Sequence, residues 1–453
     1  MARALFGTDG IRGVAGQPPL DRKTAQAVGA ALGHSIRQSK PQDDAVQVVI
    51  GMDTRESGPW LAAEVAAGLA RYQVKAEFAG VTTTPGVAYL AKNGPFAAGV
   101  MISASHNPYQ DNGIKLIGHL GYKLPDDQEE LLEKEIFRLL DQGDYAPPAP
   151  LAVNPGLDRA YTDHLAATLP GGLHGLTIAV DCANGSASAL APDLFERLGA
   201  RVHVTHCSPD GRNINLNCGS LHLEQLQSAT LAQKADAGVA FDGDADRALF
   251  VARSGKIIDG DAVLFLTGRY LNERGQLTAG GHPPVVVATV MSNLGLEQAL
   301  ATRGIGMVRT PVGDKYVLEE MIERGAVLGG EQSGHIIFHR YATTGDGMLT
   351  ALRVFEVMRE SGSGLDELTH EMRVYPQRLV NVRVKERRRL EDLPGVAAEI
   401  RAAQDSFGQS GRVLVRFSGT EPLARVMVEG PELERVQAFA DRIASRIRAE
   451  LGG

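Results

Sequence analysis

Three related α/β domains followed by a smaller α+β domain is the fold class that this sequence predicts. Two observations carry it. One layout recurs at 48–80, 176–206 and 285–311: a β-branched run, a loop of Gly, Ser, Asn or Asp, a helical stretch rich in Ala, Leu and Glu, a break at a glycine, and a second apolar run. Each stretch is a βαβ unit, so mixed, mainly parallel sheets with helical crossovers are expected. Beyond about residue 370 the pattern changes to a strand at 378–386, a helix at 390–407, paired strands over 411–430 and a helix at 432–451, which reads as an α+β domain with an antiparallel sheet. At 453 residues the chain is too long for one core. The Pro-rich stretch 145–156 and breaks near 253–261 and 370 give expected domains of 1–155, 156–257, 258–371 and 372–453.

Composition excludes several function classes. A hydrophobic content of 43% and a charged content of 22% are ordinary for a globular protein. No apolar run is long enough to span a bilayer and no apolar leader follows Met1, so a cytoplasmic protein without a membrane partner is expected. Three cysteines (Cys182, Cys207 and Cys218) show no CxxC or Cys/His spacing and read as reduced thiols. A net charge of −8 with no basic stripe argues against nucleic acid as a partner. Any anionic substrate must therefore be met by a local cluster of Arg and Lys.

The candidate chemistry lies in loops, taken in chain order. "FGTDGIRG" (6–13) offers Thr8, Asp9 and Arg12, and by itself is any Gly-rich turn. In "GVMISASHNPYQDNGIKL" (99–116) an apolar strand breaks into Ser103, Ser105, His106, Asn107 and Pro108. A strand that ends abruptly in hydroxyls is where an open α/β sheet keeps its chemistry, although a lone loop serine is commonly only a cap or turn residue. "FDGDADRALFV" (241–251) spaces Asp242, Asp244 and Asp246 on alternate positions. Three carboxylates this close need neutralising; a hard divalent cation, Mg²⁺ by its oxygen-only ligands, fits, with Arg247 as a further ion-pair partner. An EF-hand loop fails, because Arg247 stands where Gly is needed and Arg253 where Glu is needed. "GGEQSGH" (329–335) sets Glu331, Ser333 and His335 on a glycine-framed loop able to chelate sugar hydroxyls. "RFSGTEPLAR" (416–425) groups Arg416, Ser418, Gly419, Thr420 and Arg425 around a tight turn suited to a dianionic phosphate. A nucleophilic hydroxyl, a cation site, a phosphate cradle and a sugar clamp fit phosphoryl transfer on a sugar phosphate.

The ordered set Ser105-His106-Asn107-Pro108, Asp242 to Arg247, Gly330 to His335 and Arg416 to Pro422 resembles the α-D-phosphohexomutase superfamily. The opening "FGTDGIRG", "VMSNLGLE" (290–297) and "VGDKYVLE" (312–319) resemble its branch acting on glucosamine phosphates, the alternative being broad glucose or mannose phosphate specificity. The resemblance implies an isomerase in which Ser105 is phosphorylated and exchanges its phosphoryl group with glucosamine 6-phosphate through a glucosamine 1,6-bisphosphate, feeding amino-sugar nucleotide synthesis. It implies one Mg²⁺ per chain held by Asp242, Asp244, Asp246 and the Ser105 phosphate. Glu331, Ser333, His335 and Arg247 are then the substrate contacts, and Arg416, Ser418, Gly419, Thr420 and Arg425 the site of the non-reacting phosphate. Arg12, His106 and Lys115 are the candidates for acid–base work or charge stabilisation, with His335 beside them. The partners implied are small sugar phosphates, and a homodimer through the first domain is the assembly the resemblance allows. Ser103 is a second hydroxyl for phosphate should Ser105 be removed. Phe417 stands where Lys or Pro is usual; a side chain turned away from the ligand would leave the phosphate loop intact.

Overall fold

The computed structural model describes the chain apart from residues 1–3, 8, 41–44, 144, 149, 279–280, 387, 390–391, 419–421 and 453. It divides into two compact units, residues 1–290 with 307–369, and residues 291–306 with 370–453.

The first unit holds three mixed sheets built on the three repeats. Strands Gln47–Met52 and Lys75–Val81 flank helix Gly58–Ala70 and pair in parallel. Strands Thr177–Asp181 and Arg201–Thr205 do the same around helix Ala191–Arg197. Strands Val285–Thr289 and Gly306–Thr310 are neighbours in the third sheet, and their intervening helix Leu294–Thr302 falls within the second unit. Each sheet then continues through one more parallel strand: Phe96–Ile102 and Ala237–Phe241 beside the first strand of their repeats, and Leu328–Gly330 beside Val285–Thr289.

From that strand onward the pairing reverses. Phe96–Ile102 runs antiparallel to Asp111–Gly118, Ala237–Phe241 to Ala248–Ala252, and Leu328–Gly330 to Ile336–Phe338. The first two sheets extend further by antiparallel edges, Gly10–Val14 with Phe6–Gly7, and Ile257–Ile258. The expectation of mainly parallel sheets is therefore corrected to an even mixture. The reason is steric: parallel neighbours need a long crossover, whereas a connection of a few residues joins only antiparallel strands. The three short connections are 103–110, 242–247 and 331–335, the serine, aspartate and sugar loops.

Continuous runs such as Val48-Val49-Ile50 and Val239-Ala240-Phe241 are fully buried, as strands covered on both faces require. In the first sheet helix Arg22–Ser39 is capped by Asp21, whose carboxylate accepts from Thr24 N at 2.9 Å. It meets helix Gly58–Ala70 backbone to backbone: a Cβ on Gly29 would lie 2.0 Å from the Val65 carbonyl.

In the second unit a three-stranded antiparallel sheet has Leu423–Glu429 between Gln377–Arg383 and Arg412–Phe417. Helices Pro394–Phe407 and Leu433–Leu451 close over Val382, Val426, Val428, Val436, Ile443 and Ile447. The helix expected from 390 begins at Pro394, whose fixed φ suits a first helical position. Phe417 packs on this core. Glu429 is fully buried, accepts from Leu294 N at 2.9 Å and pairs with Arg412 at 3.0 Å, which ties residues 291–306 to this sheet.

Candidate functional site

Ser105 sits at the tip of its loop in the left-handed region, φ 53°, a conformation costly to a residue with a Cβ. A buried guanidinium holds it there. Arg55 Nη2 donates to the Ser105 and Asn107 carbonyls at 2.8 and 2.9 Å, and Nη1 to those of Asp111, at 3.0 Å, and Pro108. Asp53 pairs with Arg55 Nε at 2.8 Å and accepts from Ser103 Oγ at 2.6 Å; both side chains of the ion pair are fully buried. Ser103 Oγ in turn accepts from Ser105 N at 2.9 Å. The Ser103 hydroxyl is thus buried and occupied at both ends, which argues against its taking phosphate.

The Ser105 hydroxyl, 1% exposed as a residue, donates to Asp242 Oδ2 at 2.5 Å and lies 3.2 Å from His106 Nδ1. Asp242, Asp244 and Asp246 are all buried, each with a carboxylate oxygen within 4.8 Å of the others. Asp244 Oδ1 and Asp246 Oδ1 are buried with no hydrogen-bond partner. Buried carboxylate oxygens without a partner in so tight a cluster are a donor set for a hard divalent cation. Burial, with Asp246 and Asp244 close by, pushes Asp242 well above the carboxylate range, so the cluster resists full ionisation by itself.

Lys115 Nζ faces the same cluster from the strand after the serine loop, 2.7 Å from Asp244 Oδ2, 3.0 Å from Asp9 Oδ2 and 3.7 Å from Asp246 Oδ2. Burial works against its charge, but Asp244, Asp9 and Asp246 hold the ammonium protonated above the usual lysine range. That makes Lys115 a fixed cation and a poor proton acceptor. His106 is opposite in character: burial, Arg247 and Arg12 bring it down to about 4, so it is neutral at physiological pH. Arg12 pairs with Asp9, and Arg247 N donates to Asp242 Oδ1 at 3.2 Å.

The sugar loop docks on the aspartate loop's outgoing strand, Ala248 N donating to the Gly334 carbonyl at 3.1 Å. Glu331 accepts from Gly313 N at 3.2 Å and from Ser333 Oγ at 3.5 Å. Gln332 turns to Asp259 Oδ2 at 3.1 Å and shapes the loop. His335 is buried, 3.7 Å from both Asp246 and Asp314; Gly345 N donates to its Nε2 at 3.0 Å, which leaves the proton of the neutral ring on Nδ1, towards Asp246. Burial alone would lower His335, but Asp246, with Asp314 and Glu331, outweighs it, so the ring titrates above its usual value.

Ser105, His106, Asp242, Asp244, Asp246, Arg247, Glu331, Ser333 and His335 therefore belong to linked loops of the first unit, and Arg12 and Lys115 reach them from neighbouring strands. Sequence reasoning passed over Asp53, Arg55, Lys123 and Asp314. Lys123 bridges Asp9 and Asp314, at 2.5 Å from the latter, and closes a ring of charges with Lys115, Asp246 and His335. The only signal for Arg55 was its place in "DTRESG", the loop after the first strand of the first repeat.

In the second unit Arg416 and Arg425 stand directly opposite on paired strands. Like charges in that position repel, and an anion between them relieves the repulsion. Burial and Arg425 both lower Arg416 from its usual value. Ser418 is buried at the strand end and donates its N–H to the Leu423 carbonyl at 2.8 Å. Gly419 and Thr420 lie outside the described residues.

Comparison with known proteins agrees with this architecture. Models of phosphoglucomutase/phosphomannomutase α/β/α domains I, II and III match residues 3–142, 159–255 and 259–375, and the C-terminal domain model matches 379–446. A phosphoglucosamine mutase of Solibacter usitatus is 60% identical, with 100% of both chains covered. The chain belongs to the phosphoglucosamine mutase branch of the α-D-phosphohexomutases. The phosphoglucosamine mutase of Koribacter versatilis is 48% identical over 99% of this chain and 98% of its own. A phosphoglucomutase/phosphomannomutase family structure from Burkholderia thailandensis superposes with a TM-score of 0.81 at 24% identity, covering 99% of this chain and 98% of that one, and so shares the phosphohexomutase fold. Among the described residues no helix is long and apolar enough to cross a membrane.

Proposed function

We propose that this phosphohexomutase interconverts glucosamine 6-phosphate and glucosamine 1-phosphate, with Ser105 carrying the phosphoryl group. The full-length likeness to phosphoglucosamine mutases supports the substrate. The observation that carries the mechanism is the Ser105 hydroxyl, left-handed in its backbone, on Asp242 at 2.5 Å beside two orphan carboxylate oxygens.

Ser105 as phosphoserine gives its phosphoryl group to one end of the sugar phosphate, and the resulting 1,6-bisphosphate, turned end for end, returns the other. Asp242, Asp244 and Asp246 would hold Mg²⁺, which supplies charge neutralisation at the transferring group. Lys115, fixed as a cation by Asp9 and Asp244, lends positive charge without exchanging protons. His106, neutral and 3.2 Å from Ser105 Oγ, is placed to accept or return the hydroxyl proton. Arg12 and Arg247 bring guanidinium forks for the reacting phosphate. Glu331 and Ser333 bind paired sugar hydroxyls in either orientation, and Arg416, Ser418 and Arg425, with Gly419 and Thr420, take the phosphate that is not reacting. The same reading keeps the enzyme cytoplasmic with sugar phosphates as its partners; its homodimer through the first domain is tested by sedimentation velocity.

The test is kcat/KM for glucosamine 6-phosphate against glucose and mannose 6-phosphates, with Mg²⁺ and the matching bisphosphates. A preference of tenfold or more, about 1.4 kcal/mol in transition-state binding, is expected. Equal ratios would move the enzyme to broad hexose specificity. Ser105→Ala is expected to lose activity at least a thousandfold, and full activity there would end the phosphoserine mechanism.

A further inference from the structure

All three cysteines of the chain gather outside the catalytic loops, at the ends of strands Thr177–Asp181 and Arg201–Thr205. Cys182 and Cys218 are buried, Cys207 is partly exposed, and all are free thiols. Cys182 follows directly on one strand, its N–H donating to the Thr205 carbonyl at 3.2 Å, and Cys207 comes two residues after the other. His206 between them has φ 46°, which breaks the strand and turns Cys207 back, so that its thiol, donating to the Ser188 carbonyl at 3.3 Å, lies beside that of Cys182.

Asp181, His206 and Cys218 also have metal-ligand atoms within 4.8 Å of one another. Their hydrogen bonds are already spent. Asp181 accepts from Ala183 N at 2.9 Å and Gly219 N at 3.1 Å and pairs with His206 Nδ1 at 3.0 Å, while His206 Nε2 meets Gln225 Oε1 at 3.0 Å. A cation held by His206 Nδ1 would have to displace its bond to Asp181, whereas Cys182 and Cys207 stand outside this network.

We propose that Cys182 and Cys207 form a reversible disulfide under hydroperoxide stress, and that this bond slows the mutase by shifting the loop on which the aspartate and serine loops rest. Cys207 is the attacking thiol, being the one open to solvent. Its interaction with Cys182 brings its thiol down to about 7, against the effect of burial. The thiolate takes an oxygen from the hydroperoxide; the S–O bond forms, the O–O bond breaks, and water or an alcohol leaves. The Cys182 thiol then attacks the sulfenic sulfur; the S–S bond forms, the S–O bond breaks, and hydroxide leaves with the thiol proton as water.

The consequence follows from what segment 182–186 supports. An S–S bond is about 2.05 Å, far shorter than any contact between unbonded sulfurs, so the segment must move. Ala183 and Asn184 are both left-handed, at φ 55° and 48°, and have little room to adjust. The Ala183 carbonyl accepts from Asn215 N at 2.9 Å, and Asn215 Nδ2 donates to the Ser105 carbonyl at 2.9 Å. Ser186 N donates to the Gly243 carbonyl at 2.8 Å, and a Cβ on Gly185 would lie 2.4 Å from that oxygen. One short segment thus touches the supports of Ser105 and of Asp242 to Asp246.

The full-length protein, without substrate, would be treated with hydrogen peroxide, digested with trypsin and mapped by mass spectrometry. The three cysteines fall in separate peptides, 160–197, 202–212 and 213–234, so the pairing is read without ambiguity. A cross-link between the first two is expected, with kcat down at least tenfold and restored by dithiothreitol. Cys207→Ser should keep basal kcat and lose both the cross-link and the sensitivity, while Cys218→Ser keeps both. A bond from Cys182 to Cys218, sulfinic acid at Cys207 without a cross-link, a cross-link with unchanged kcat, or inactivation that persists in Cys207→Ser would each overturn the proposal. The peptide map stands apart from the mutase assay, so a wrong substrate assignment and a wrong thiol assignment give different results.

Discussion

Arg55 is the residue on which the catalytic serine most depends, although it touches no reacting atom. It neutralises Asp53 and spends its donors on three carbonyls of the serine loop and that of Asp111, which opens the next strand. Removing the guanidinium leaves a buried carboxylate uncompensated, and breaking such a pair costs about 3–5 kcal/mol. Arg55→Met is therefore expected to lose that much stability in urea unfolding. Arg55→Lys keeps the charge but not the fork, so kcat should fall at least tenfold with KM little changed, because the loop moves and no substrate contact is removed. An Arg55→Lys enzyme with normal kcat would show that Ser105 keeps its conformation unaided. Asp158 gives a prediction of the opposite sign. It lies in the first turn of helix Pro155–Ala167, with one buried oxygen lacking a partner, and burial raises its carboxyl from 3.8 to about 6 while Thr82 lowers it. Between those values the folded protein binds more protons than the unfolded chain, so stability falls as pH rises and the full cost stands above pH 6. Asp158→Asn should be more stable than the parent at pH 8, by about 1–2 kcal/mol after allowing for partial exposure, and equal to it near pH 3, below both values. Melting curves across that range check it; a gain that persists undiminished at pH 3 would have another cause.

At the scale of elements, the three catalytic loops are one device used three times. Each closes a hairpin between the last parallel strand of a repeat and an antiparallel neighbour. The repeats were legible because β-branched runs and an Ala-rich helix leave a strong periodic signal. The reversal was not, because strands of three to eight residues buried on both faces read alike in either direction. Ser105 and the three aspartates stood out because hydroxyls and carboxylates between apolar runs are chemically odd. Arg55, Lys123 and Asp314 did not, since a lone charge in a loop is ordinarily solvated and only the folded chain shows these to be enclosed. The serine and aspartate loops also meet backbone to backbone: a Cβ on Gly243 would lie 2.4 Å from the Ser105 carbonyl. Gly243→Ala must push one loop off the other. Activity is expected to fall a hundredfold or more while the far-UV spectrum is unchanged, and a variant with near-normal kcat would mean that the contact has slack.

For the whole molecule the two units make different demands on charge, although the chain as a whole carries −8. The first concentrates buried carboxylates with two orphan oxygens at Asp244 and Asp246. The second sets Arg416 directly across from Arg425. Each arrangement brings like charges together, so each unit should be stabilised by an ion of the opposite sign. A ligand that binds only the folded state adds about 2.7 kcal/mol at a hundredfold excess over its Kd. In calorimetry of metal-free protein, Mg²⁺ is expected to raise the melting transition of the first unit by several degrees, and Asp244→Ala to abolish that shift. Inorganic phosphate is expected to raise the transition of the second unit, with the shift lost in Arg425→Ala. The two cores are separate, Val48 to Ile50 with their neighbours in one unit and Val426 to Ile447 in the other, so the transitions should be distinguishable. A single transition that both ions move alike would mean that the units unfold together, and a Mg²⁺ shift that survives Asp244→Ala would place the cation elsewhere.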